Sequence, residues 1–104
     1  MTDLKKLQKR IYENKVKQGF NVTDIPVEFC YIYEELAEAY RAYRKELPDL
    51  AEELADVTIY LLGLAEILKI DLEKEVLAKV AKNEKRKYKT VSNINNVRIK
   101  EGKK

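Results

Sequence analysis

Histidine and tryptophan are missing from this 104-residue chain, and cysteine occurs once, at Cys30. Without imidazole, Ser-His and Cys-His nucleophile pairs, histidine general bases and His-containing zinc sites are all excluded. A single cysteine makes neither an internal disulfide nor a CxxC site, and between Phe29 and Tyr31 it reads as a small buried thiol. Glycine (three) and proline (two) are also scarce, which sets the chain apart from disordered and collagenous ones. No apolar run approaches a membrane span: the longest, residues 57–65, contains Thr58, Tyr60 and Gly63. No signal peptide is legible, so a reducing cytoplasm is the expected location. Carboxylates, amines and metal remain for chemistry.

What is present is charge, at 38% of residues, on a 45% hydrophobic background. The net charge of +3 hides an uneven distribution. Residues 1–78 hold 11 Lys/Arg and 16 Asp/Glu, a balance of −5, whereas residues 79–104 hold 10 and 2, a balance of +8. A basic end of this kind serves nucleic acid or a polyanionic small ligand. The length fits one folded domain, placed at residues 1–90, with a basic tail at 91–104.

Hydrophobic spacing predicts an all-α fold of four helices. Leu4, Leu7 and Ile11 recur behind the candidate caps Thr2 and Asp3, with Gly19 as the stop, giving a helix near 3–18 whose basic face reads as solvated. Asp24 and Pro26 open a second helix running to about Glu46, and Pro48 breaks the chain. The third, about 49–69, is apolar nearly all round from Val57 to Leu68 and is expected to be buried. Asp71 caps the fourth, which runs to about Tyr88 with Leu72, Val76, Leu77 and Val80 as its inner face. The short C-terminal tail is taken as irregular, with a short strand, a partner-binding extension and a frayed end all left open.

The informative feature is the placement of acids on the second and third helices. Tyr31, Glu35, Glu38 and Ala42 form one stripe, beside a purely apolar stripe of Phe29, Ile32, Leu36, Ala39 and Tyr43. On the third helix Glu53 and Asp56 continue into Tyr60, Leu64 and Ile67, residues that belong to a core. A short link makes the two helices antiparallel neighbours, and a turn near Leu47 and Pro48 sets Glu38 level with Asp56. Four carboxylates in one patch repel unless cations join them, and oxygen-only ligands select Mg or Mn over zinc. Glu34, Glu46 and Glu52 fit a solvated face equally well. On the fourth helix Lys79, Asn83 and Arg86 share a face, as phosphate-binding groups would.

Glu34, Glu35 and Glu38, then fourteen residues, then Glu53 and Asp56, resemble the EExxE...ExxD signature of the MazG-like all-α nucleoside triphosphate pyrophosphohydrolases. The segment Asp56-Val-Thr-Ile-Tyr60 and the run containing Lys79, Asn83 and Arg86, similar to a KxxxNxxR element, extend the likeness over roughly residues 26–90. The resemblance implies a four-helix bundle completed by oligomerisation, as a homodimer or homotetramer. It also implies hydrolysis of a (deoxy)nucleoside triphosphate to the monophosphate and pyrophosphate, with a role in nucleotide-pool house-cleaning. By the same resemblance Mg is held by Glu35, Glu38, Glu53 and Asp56, Glu34 or Glu38 serves the attacking water, and Tyr60 packs on the base. With no Trp or His, aromatic base contacts fall to Tyr or Phe. The alternative from the residues alone is a non-catalytic helical dimerisation module whose basic tail binds nucleic acid or protein.

Overall fold

The first two helices start, and the first three stop, where local chemistry dictates. In the computed structural model, which describes residues 3–86, 88–90 and 96–98, α1 spans Leu4–Gln18, α2 Ile25–Arg44, α3 Leu50–Ile67 and α4 Leu72–Lys85. Asp3 caps α1 by accepting from the Lys5 and Lys6 amides, and Asp24 caps α2 through the Val27 amide, with Pro26 in the first turn. Thr2 lies outside the described residues.

All three helices end on a left-handed residue: Gly19 (φ 73°), Glu46 (φ 55°) and Lys69 (φ 58°). In each case the next amide reaches back to close the last turn, as Phe20 to Lys15, Leu47 to Ala42 and Ile70 to Ala65. Only Gly19 adopts this conformation without a Cβ penalty.

The chain divides into two compact units, Met1–Glu73 and Lys74–Lys104. In the first, α3 is the shared element, packing against both α1 and α2. Its fully buried apolar residues are few: Ala39, Ala42, Leu62, Leu64 and Ala65. Gly63 lets α1 approach closely, since a Cβ there would lie 3.2 Å from the Ile11 side chain and 3.4 Å from the Lys15 stem. Buried Gln8 knits the unit's ends together, donating to Glu66 and the Ile70 carbonyl and accepting from the Leu72 amide at 2.9 Å.

Several sequence expectations are corrected. The buried stripe of α2 is Ile25, Glu28, Ile32, Glu35, Ala39 and Ala42, one residue out of step with the expected apolar one, so Phe29, Leu36 and Tyr43 are exposed. Cys30, on that outward side, is exposed rather than buried. In α3 only residues 62–65 are buried, while Leu54, Ile59 and Leu61, and Leu68 just past its end, are exposed. Lys15, expected on a solvated face, is buried. The expected inner face of α4 is open at Val76, Leu77 and Val80. These differences share one cause: three helices with one shared neighbour enclose too little volume to cover every apolar stripe.

The second unit carries the rest of α4 and a two-stranded antiparallel ladder, β1 (Tyr88–Thr90) with β2 (Asn96–Arg98), in which Lys89 pairs with Val97. Part of the tail thus takes the strand form that the sequence left open; residues 91–95 and 99–104 lie outside the described residues. No helix among the described residues is long and apolar enough to cross a membrane.

Candidate metal centre

Glu35 lies on the buried stripe of α2 and Glu53 on that of α3, so the packing that builds the core also drives two carboxylates toward each other. Both are half-buried, and Glu38, on the exposed flank of α2, leans in beside them. Each of the three offers a carboxylate oxygen, and these oxygens all lie within 4.8 Å of one another. One oxygen of Glu35 and one of Glu53 are buried with no hydrogen-bond partner. A buried oxygen of like charge without a donor is costly.

The cost is visible in the proton affinities. Burial, then the charge of Glu38 and of Asp56, raises the Glu35 carboxyl above its ordinary 4.5. Burial, then the charges of Glu38, Asp49 and Asp56, raises Glu53 likewise. Protons can relieve this strain, and so can a divalent cation, for which three converging carboxylates are a suitable oxygen donor set.

Asp56, expected level with Glu38, is exposed and stands outside the trio, although its charge bears on Glu35 and Glu53. The oxygens that come together are those of Glu35, Glu38 and Glu53. Sequence reasoning missed Asp49. It occupies the N-cap position of α3 without capping, and its Oδ1 is buried with no partner. The signal was present, since Asp49 precedes Glu53 by four and shares its face. Glu34 is exposed and outside the trio.

Tyr60, one turn beyond Asp56, joins this cluster to a cleft of about 910 Å³ in the same unit. Burial, then the charges of Glu35 and Glu28, raises its hydroxyl above the ordinary 10, and the residue lines the cleft. Its ring centroid is 5.9 Å from that of Tyr31, tilted by 57°, and the Lys15 Nζ lies 5.3 Å away. Phe20, Ile11 and Ile59 supply further apolar wall, while Asn14, Asn21 and Arg10 supply polar groups. Lys15 forms a buried ion pair with Glu28, whose second oxygen accepts from Asn21 Nδ2 at 3.0 Å. No motif announces this pair, which links α1 to α2 where the Lys15 stem passes Gly63 of α3.

Lys79, Asn83 and Arg86 belong to the second unit. Lys79 and Asn83 are exposed on α4, and Arg86, just past its end, donates from Nη1 to Asn83 Oδ1 at 3.1 Å.

No curated protein and no solved structure matches the chain. The family model for the MazG nucleotide pyrophosphohydrolase domain matches residues 29–91, more than half of the chain and the segment that holds the acid trio, Asp49, Asp56, Tyr60 and the Lys79–Arg86 face. A helical chain that carries its acids in this order over this span belongs to the MazG nucleotide pyrophosphohydrolase family.

Proposed function

We propose that this protein is a Mg-dependent nucleoside triphosphate pyrophosphohydrolase, with Mn able to substitute, acting on surplus or damaged (deoxy)nucleotides. The observation that carries the reading is the pair of buried, partnerless oxygens on Glu35 and Glu53, converging with Glu38. Family membership supplies the reaction class.

In this reading Glu35, Glu38 and Glu53 hold the metal, with Asp56 completing the set from the next turn of α3. When bound, Mg adds positive charge beside the phosphate oxygens and makes a nearby water more acidic. The chain's own residues do the rest. Tyr60 and Tyr31 give an aromatic wall on which a base can stack, next to the acids that mark the phosphate end.

Water oxygen forms a bond to the α-phosphorus while the bond from that phosphorus to the α–β bridging oxygen breaks. Pyrophosphate leaves with that oxygen, and the water proton passes to a carboxylate. Glu38 is the exposed member of the trio and is assigned that proton, whereas Glu34 stands outside the trio.

Incubation of the protein with a panel of nucleoside and deoxynucleoside triphosphates plus Mg, with pyrophosphate and monophosphate quantified, tests the reading. Release is expected from the wild type and from Glu34→Gln. A loss of more than about 100-fold is expected for Glu38→Gln. No pyrophosphate from any nucleotide at neutral or alkaline pH overturns it.

A further inference from the structure

The cleft beside Tyr60 holds two charged groups that the proposed chemistry does not use. Of the charged side chains that line it, Arg10 and Glu13 are exposed, whereas Lys15 and Glu28 are buried and paired with each other. A buried ion pair is a weak source of net stability, and in a cavity wall its fixed polar groups can orient a ligand.

The pair does not present its two charges to the cleft equally. The Lys15 side chain is 9% exposed and that of Glu28 only 1%. Both Glu28 oxygens are engaged, one by Lys15 and one by Asn21. The Lys15 ammonium keeps N–H groups to spare, since the hydrogen bonds among the described residues engage it with Glu28 alone. What the pair shows to the cleft is therefore a donor without a lone pair. It is also a fixed donor, tied to Glu28 and lying 5.3 Å from the Tyr60 ring centroid.

We propose that the cleft selects a 6-oxopurine, with the base packed on Tyr31 and Tyr60 and its O6 and N7 edge at Lys15. The proposal rests on the nucleotide reading above and names the base class of that substrate. A 6-oxopurine carries O6 and N7 as neighbouring acceptors on one edge, which suits a single ammonium. A 6-aminopurine replaces O6 with an N–H donor, so two donors face each other there. Glu28 prevents the ammonium from swinging away to relieve that clash, and a site built around a fixed hydrogen-bonding group rejects a ligand that cannot pair with it. A cleft of about 910 Å³ has room for a bicyclic base, and a pyrimidine brings at most its O4 acceptor to the same donor.

Inosine and adenosine triphosphates, which differ only at the edge that carries C6, test the proposal. With Mg, kcat/KM is expected to be at least about 10-fold higher for the inosine compound. Binding of the two monophosphates without Mg, read by tyrosine fluorescence, is expected to show the same preference and measures selectivity apart from catalysis. Lys15→Met with Glu28→Leu removes the pair together, and with its helical circular dichroism retained it is expected to lose the preference. Equal kcat/KM for the two triphosphates overturns the proposal and leaves the hydrolase reading standing. Equal affinities for the two monophosphates, or an undiminished preference in the folded double variant, overturns it as well. Tighter binding of inosine monophosphate by a protein that hydrolyses neither triphosphate upholds the selectivity and overturns the hydrolase reading.

Discussion

Glu28 and Glu35 stand two turns apart on the same buried stripe of α2, yet the chain treats them in opposite ways. Glu28 is almost wholly enclosed, and both of its oxygens are occupied, one by the Lys15 ammonium and the other by Asn21. Glu35 has an oxygen equally hidden from water and nothing to donate to it, and its nearest charged neighbours are other carboxylates. The first carboxylate is part of the fold. The second is an incomplete constellation whose missing charge has to come from outside, and that contrast separates a structural acid from a binding one.

The largest effect is expected from breaking the complete member of the pair. Lys15→Met leaves Glu28 buried without its cation and is expected to cost about 3–5 kcal/mol in denaturant unfolding. The double change Lys15→Met with Glu28→Leu is expected to recover most of that loss, since it removes both charges. If the single variant unfolds at the wild-type denaturant midpoint, the pair is not the structural element described.

Next comes completion of the other member. Mg at about one hundred times its dissociation constant is expected to stabilise the wild type by about 2.7 kcal/mol, read as a rise in melting temperature. Glu35→Gln and Glu53→Gln are expected to abolish most of this rise, whereas Glu52→Gln, on the solvated flank, keeps it. Equal rises in all four proteins would show that the trio does not take up the ion.

The smallest effect is a pH dependence without metal. Glu35 and Glu53 have folded values raised above 4.5, so the folded chain holds their protons more tightly than the unfolded one does. The stability this contributes is fully present below pH 4.5 and is lost as pH rises through the folded values. In EDTA, therefore, the wild type is expected to lose stability between acid and neutral pH relative to the double variant Glu35→Gln with Glu53→Gln. Excess Mg is expected to remove the difference at neutral pH. A gap between the two proteins that stays constant with pH would rule out the raised affinities.

Much of the site was legible because helical periodicity is local. Glu35, Glu38 and Glu53 were picked out by spacing alone and do converge. Asp56 stands outside that trio, although its charge bears on Glu35 and Glu53, because its side chain is exposed. Asp49 drew no attention at the start of the third helix, and only the coordinates show that it leaves the helix uncapped and keeps a buried oxygen without a partner. The cleft was out of reach altogether, since its wall joins residues of α1, α2 and α3 that share no motif.

The apolar patterns taught the opposite lesson. Phe29, Leu36 and Tyr43 form as regular a stripe as any core, and hydrophobic spacing cannot say whether the surface it faces belongs to the same chain. By itself, the sequence determined the four helices, the caps of α1 and α2, the absence of imidazole chemistry and the acids that carry the alternative. Only the tertiary structure decided which stripe of α2 meets α3, that Lys15 neutralises Glu28, and that Glu35 and Glu53 keep oxygens without donors. The physical reason is range. Caps and periodicity are set within a few residues, whereas burial and charge compensation depend on which side chains from distant segments exclude the same water.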